Sequence, residues 1–219
     1  MRAKENPFAV HRVSQFRYQW SEAKWCSAIM QLESISYQGA IVGPHGCGKT
    51  TLLEDLIVRL RSRGQQTFSF QLHTGERRLP LAVESQFTNL PPKTIALLDG
   101  AEQLSSWRWR QLANYFRRSG RPFIVTLHQA GRWPIWFQCK SDLAILNQMV
   151  DELLQGAVAD CDETNRHLYA KHQGNIRDAL REWYDLMAKS PTALTEHASE
   201  VATLNNRRRL SIITMSETA

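Results

Sequence analysis

The stretch GPHGCGKT (Gly43–Thr50) constrains this chain of 219 residues more than any other feature. It fits G-x-x-x-x-G-K-[ST], with Gly43, Gly48, Lys49 and Thr50 at the fixed places. GAIV, apolar and partly β-branched, precedes it as a buried strand would. TTLLEDLIVRLRSRG follows, with Leu52, Leu53, Leu56, Ile57 and Leu60 on one helical face and Gly64 as a stop. Strand, glycine-rich turn and helix in that order predict an anion-binding nest. Glycine tolerates the dihedrals that turn backbone N–H groups inward, and the helix adds unpaired donors and the positive end of its dipole. The expected ligand is a nucleoside triphosphate with Mg²⁺. It would be cradled by Gly43, Pro44, His45, Gly46, Cys47, Gly48, Lys49, Thr50 and Thr51, with Lys49 on the β- and γ-phosphates and the Thr50 hydroxyl on the metal.

Around the loop the chain alternates strand and helix signals. WSEAKWCSAIMQLESIS predicts a helix with Ser21 as its cap, and TFSFQL a second strand. HTGERRLPLAVESQFTNLPPK reads as a loop with room for a short helix. TIALLDG is the third strand, AEQLSSWRWRQLANYFRRSG a helix ending at Gly120, PFIVTLH a fourth strand and PIWFQC a fifth. From Ser141 only helices are expected, in SDLAILNQMVDELLQG, DETNRHLYAKHQG (capped by Asp162) and NIRDALREWYDLMAK. The remainder reads as a disordered tail. The implied domains are an α/β core over 1–140, a helical lid over 141–188 and the tail over 189–219.

IALLDG puts a carboxylate, Asp99, at the C-terminal edge of an all-apolar strand, where open α/β sheets bind ligands. Asp99 is the expected metal partner of Thr50. Glu102 follows in what reads as the first turn of the next helix, as a group to orient attacking water or as a simple complement to the helix dipole.

GPHGCGKT and IALLDG resemble the Walker A and Walker B motifs of P-loop ATPases, and the order of the remaining elements resembles the AAA+ branch. The resemblance spans about residues 6–188. It implies an α/β three-layer fold with a parallel five-stranded sheet in order 5-1-4-3-2 and a small C-terminal helical lid. The end of FIVTLH is similar to sensor 1, which implies a role for Thr126, with His128 as the alternative. GNIRDAL (Gly174–Leu180) resembles the sensor 2 helix and implies Arg177 on the γ-phosphate side. The early NPF (Asn6–Phe8) resembles the entry segment of small AAA-type ATPases of secretion and transposition systems. Arg132 is a candidate arginine finger for a neighbouring subunit, or a loop arginine packed on Trp133. One departure stands out: the glutamate that directly follows the Walker B aspartate in AAA+ proteins is replaced by Gly100.

The expected activity is Mg²⁺-dependent ATP binding and hydrolysis coupled to a protein or DNA partner, with a homo-oligomer as a further possibility. The rivals are a nucleotide-dependent switch or DNA-loading module with negligible turnover, and a small-molecule kinase. A net charge of +6 with arginines in RLRSR, ERR, WRWR and RRSGR suits either a nucleic-acid surface or a solvated exterior. Four cysteines without paired spacing, no apolar run of membrane-spanning length and no leader-like N-terminus fit a cytoplasmic protein.

Overall fold

A computed structural model describes residues 5–155 and 161–189. They divide into two compact units, one of Arg17–Lys140 and one that joins the residues up to Phe16 to those from Ser141 onward.

The first unit is built on five short parallel strands: β1 (Gln38–Val42), β2 (Thr67–Gln71), β3 (Ile95–Asp99), β4 (Phe123–Leu127) and β5 (Ile135–Gln138). Their order, β2-β3-β4-β1-β5, is the expected 5-1-4-3-2. β3, β4 and most of β1 are buried on both faces, so they read as unbroken apolar runs rather than alternating ones. The two-residue period of a strand still divides their side chains between two layers. Ile41, Ile95, Leu97 and Ile124 pack with Trp25, Ile29 and Leu32 of α2 (Glu22–Ser34) and Leu52, Leu53, Leu56 and Leu60 of α3 (Lys49–Ser62). Ala40, Val42, Ala96, Leu98, Phe123 and Val125 face the opposite way. They meet Phe87 of α4 (Leu81–Asn89) and Trp109, Leu112 and Phe116 of α5 (Ser106–Ser119). The result is an α/β P-loop NTPase architecture of three layers.

Ser21 caps α2 by accepting the Lys24 amide, as its sequence position predicts. The helix expected from Ala101 is broken in two. Ala101–Gln103 forms a single 3-10 turn, and α5 starts only where the Ser105 side chain accepts the Arg108 amide. Glu102 therefore sits in its own turn, not in the first turn of α5.

The second unit contains α1 (Val10–Val13), α6 (Leu143–Leu154), α7 (Asp162–Lys171) and α8 (Ile176–Lys189). Leu146, Val150, Leu168, Ile176, Ala179, Leu180 and Trp183 form its core. The N-terminal segment completes that core: Phe8 stacks on Trp183 with ring centroids 5.3 Å apart, and the Asn6 amide donates to the Tyr184 carbonyl at 2.9 Å. Residues 5–16 thus belong with the helices and not with the α/β core to which their position in the sequence assigned them. The expected cap of α7 also differs. Asp162 is the first helical residue, and Cys161 before it makes no side-chain cap bond. The expected tail, beyond Lys189, lies outside the described residues. No helix among the described residues is long and apolar enough to cross a membrane.

Candidate nucleotide site

The loop between β1 and α3 owes its shape to three glycines with different duties. Gly46 and Gly48 have φ of 71° and 87°, the left-handed region that L side chains avoid, and Gly48 is the N-cap of α3. Gly43 is needed for room instead: a Cβ there would lie 2.6 Å from the Cys139 carbonyl oxygen and 2.7 Å from the Cys47 sulfur. Pro44 and His45 are exposed on the outside of the loop. Lys49 is buried, and its ammonium donates to the carbonyls of Gly43 (2.8 Å) and Pro44 (2.7 Å). An ammonium carries three protons, so one remains for an anion inside the nest.

Asp99 is the hub. Its Oδ2 accepts from the Thr50 hydroxyl at 2.9 Å and from the Gln71 amide at 3.0 Å, and its Oδ1 accepts from the Thr126 hydroxyl at 2.5 Å. Thr50 lies in the first turn of α3, and Asp99 ends β3. Gln71 ends β2 and is paired in register with Asp99, while Thr126 lies near the end of β4. Three other segments thus converge on the carboxylate that ends β3. Thr50 and Asp99 offer adjoining hard oxygens, the donor chemistry Mg²⁺ prefers when phosphate oxygens and water complete its shell. No trio of His, Cys, Asp or Glu poised to bind a metal occurs among the described residues. The two oxygens of Thr50 and Asp99 would suit a magnesium whose remaining ligands come from phosphate and water.

Thr126 is almost wholly buried, and the oxygen that donates to Asp99 also accepts the Gly100 amide at 2.7 Å. Both of these bonds hold the turn after β3. Thr126, the expected sensor 1 residue, thus braces Asp99 and the turn that follows it. His128, the alternative, lies between Glu102 and the phosphate loop. Its Nε2 lies 2.9 Å from Glu102 Oε1, and its ring lies 3.6 Å, centroid to centroid, from that of His45 in the phosphate loop. Burial, with Lys49 nearby, lowers the His128 pKa to about 4, so the ring is neutral near pH 7.

Glu102 is mostly buried, and burial raises its pKa against the opposing pull of Lys49. Its Oε2 is buried with no hydrogen-bond partner. Gly100 explains how the carboxylate arrives at this position. With φ of 77° and a hypothetical Cβ 2.6 Å from the Leu72 carbonyl oxygen, the position after Asp99 has no room for a glutamate side chain. The nearest carboxylate that follows, Glu102, lies two residues further on in the 3-10 turn.

The expected arginine finger and sensor 2 residue are both exposed. Arg132 lies in the loop between β4 and β5. Arg177 lies in the first turn of α8, where the neighbouring carboxylates are engaged elsewhere: Asp178 with Asn175 and Arg181, and Glu182 with Lys171 and His172.

Sequence reasoning missed Tyr18, Gln71 and Cys139. The Tyr18 amide donates to Asp55 of α3 at 2.6 Å, and its ring passes 3.4 Å from where a Gly48 Cβ would lie. A tyrosine far ahead of the loop carries no local signal of this packing. Gln71 was visible only as the end of a strand.

Neither family models nor curated proteins match the sequence. Solved structures do. The chain is similar to the Thermotoga maritima RuvB Holliday junction branch migration motor, with TM-score 0.51 and 16% identity over 83% of this chain and 69% of that one. It is also similar to AMPPCP-bound DnaA from Aquifex aeolicus, with TM-score 0.50 and 13% identity over 90% of this chain and 70% of that one. The strand order agrees with those likenesses, and the chain has the fold of the AAA+ P-loop ATPases.

Proposed function

We propose that this protein binds ATP with Mg²⁺, hydrolyses it to ADP and phosphate, and passes the nucleotide state to a partner. The observation that carries the reading is the junction of the phosphate loop with Asp99, where the Thr50 hydroxyl and the carboxylate lie 2.9 Å apart. The loop amides and Lys49 would bind the phosphate chain, and Thr50 and Asp99 would hold the metal. Magnesium in that position neutralises charge developing on the transferred phosphoryl group. Gln71 and Thr126 fix the Asp99 carboxylate so that it needs no reorganisation when ligand arrives.

Glu102 favours hydrolysis over a silent switch. A buried carboxylate oxygen without a partner is a costly arrangement unless a proton donor is due to meet it, and an attacking water is such a donor. His128, neutral and beside Glu102, would register the phosphate through the His45 ring on the loop. Arg177 and Arg132 remain proposals for sensor 2 and an inter-subunit finger. The direct test is phosphate release from ATP alone, compared across wild type, Lys49→Ala, Asp99→Asn and Glu102→Gln over a range of protein concentrations. Turnover lost in all three variants, with nucleotide binding kept in Glu102→Gln, supports hydrolysis. Turnover that appears only when an acceptor is added identifies a kinase instead. Specific activity rising with concentration supports a shared, oligomeric site.

A second reading concerns the partner. The outward face of α5 carries Trp107, Arg110, Asn114, Arg117 and Arg118 with no acidic residue, and Arg108 stacks over the exposed Trp107 ring. The carbonyl of Arg77 accepts the Ser105 amide, which brings the Arg77–Arg78 pair to the start of the same helix. A basic face with an exposed indole suits phosphates and stacked bases. DNA affinity that is strong, salt-steep and weakened by Arg110→Glu would support this partner. Absence of salt-dependent binding would remove it.

A further inference from the structure

Two thiols flank the first glycine of the phosphate loop and have no part in the chemistry above. Cys47 belongs to the loop, and Cys139 follows β5, where its amide donates to the Val42 carbonyl at 2.7 Å. A Cβ at Gly43 would lie 2.7 Å from the Cys47 sulfur and 2.9 Å from the Cys139 Cβ. The two cysteines therefore face each other across the space a side chain at 43 would occupy, and the glycine leaves them in each other's company. Both are buried free thiols, and Tyr18 Oη lies 3.7 Å from the Cys139 sulfur, closing the far side.

We propose that Cys47 and Cys139 are a reversible oxidation site whose disulfide ties the phosphate loop to the end of β5.

Their electrostatics suit the two roles that such a reaction needs. The neighbouring Cys139 thiol, with Lys49 assisting, draws the Cys47 thiol below the usual range, while Cys47 and burial push Cys139 up. Cys47 is the attacking thiolate and Cys139 the resolving thiol. With a hydroperoxide as oxidant, the Cys47 thiolate attacks the O–O bond. The sulfur becomes a sulfenic acid, and the second oxygen leaves as alcohol or water after taking a proton. The Cys139 sulfur then attacks the sulfenic sulfur, the S–S bond forms, and the hydroxyl departs as water with the Cys139 proton. Two thiols have lost two electrons and two protons, and one peroxide has been reduced. A dithiol reverses the reaction by exchange.

The consequence for ligand binding rests on the nucleotide reading. A disulfide requires its sulfurs about 2 Å apart, far inside the contact distance of two thiols, so closure must pull the loop toward β5. Cys47 lies between the two positive-φ glycines, in the segment whose amides form the nest. Displacing it should cost about a tenfold loss in nucleotide affinity, the worth of one hydrogen bond to a charged group.

The test uses the full chain in a Cys26→Ser background, which removes the one exposed cysteine among the described residues. Protein treated with hydrogen peroxide is digested without reductant and analysed by mass spectrometry, and a fluorescent ATP analogue is titrated before oxidation, after it and after dithiothreitol. The expected result is a Cys47–Cys139 linked peptide, about tenfold weaker binding and recovery on reduction, with Cys139→Ser insensitive to peroxide. Cys139→Ala serves as a second variant should the serine unsettle the fold. No linked peptide under peroxide that does oxidise Cys26 in wild type overturns the proposal, as does loss of affinity in Cys139→Ser equal to wild type. A linked peptide in protein that binds no nucleotide even when reduced upholds the thiol pair and removes the nucleotide reading.

Discussion

Gly100→Ala tests why no acidic residue directly follows Asp99. The native residue has φ of 77°, and a Cβ there would stand 2.6 Å from the Leu72 carbonyl oxygen. A left-handed backbone costs a residue with a Cβ about 1–2 kcal/mol. Relief of the contact requires Leu72 to move, yet its amide is bound to the Asp99 carbonyl at 2.9 Å. Losing that bond adds about 1 kcal/mol. The expected penalty is thus about 2–3 kcal/mol, the sum of the dihedral and contact costs. Gly64→Ala is the matched control, because Gly64 has nearly the same φ, 78°, with nothing within 4 Å of its hypothetical Cβ. It should cost only the dihedral share, about 1–2 kcal/mol. Urea denaturation of both variants, followed by tryptophan fluorescence, measures the difference. Equal midpoints for the two alanines would show that the Leu72 contact is soft, and the explanation for Gly100 would fail. If the explanation holds, Gly100→Glu combined with Glu102→Gln should not restore turnover.

Glu102→Gln should lower kcat by about 10²–10⁴ and leave nucleotide affinity close to wild type, read by phosphate release and equilibrium titration. The raised carboxyl of Glu102 must be ionised to accept a proton, so the acid limb of the kcat–pH profile should fall at higher pH than an ordinary glutamate would give, and vanish in the glutamine variant. His128 has its pKa lowered from 6.5 to about 4, so it favours folding above its unfolded value and forfeits that contribution as pH drops from about 6.5 toward 4. Chemical denaturation of His128→Gln across that window should show a shallower loss of stability than wild type. Phe8→Ala, which removes a buried ring stacked on Trp183, should destabilise the helical unit by about 3–5 kcal/mol, measured by thermal melting.

What the sequence disclosed was whatever is written in neighbouring residues. IALLD and FIVTL are unbroken apolar runs because both faces of β3 and β4 are covered, and the glycine loop is flanked by its own strand and helix. Asp99 could be singled out because it ends such a run. What the sequence withheld depends on strands that are neighbours only in space. Gln71 reaches Asp99 through the β2–β3 register, and Thr126 meets Asp99, and His128 meets Glu102, because β4 lies beside β3. The site of Glu102 required knowing that Ser105 restarts the helix. Phe8 belongs to a core whose other members arrive from Leu146 onward, a pairing no window of sequence contains.

That last pairing has a bearing on how the polypeptide acquires its structure. The helical unit takes residues from both sides of the α/β unit, so the latter is an insertion within the former. During synthesis Phe8 emerges early and must wait, its apolar ring uncovered, until α8 has left the ribosome. The α/β unit, contiguous in sequence, can fold in the meantime and so gather the ends of the long intervening segment. Closing a loop costs free energy that grows only with the logarithm of its length, and a folded insert shortens it further. Nascent chains halted before Trp183 should therefore hold a finished sheet beside an unprotected N-terminal segment, a natural client for a chaperone.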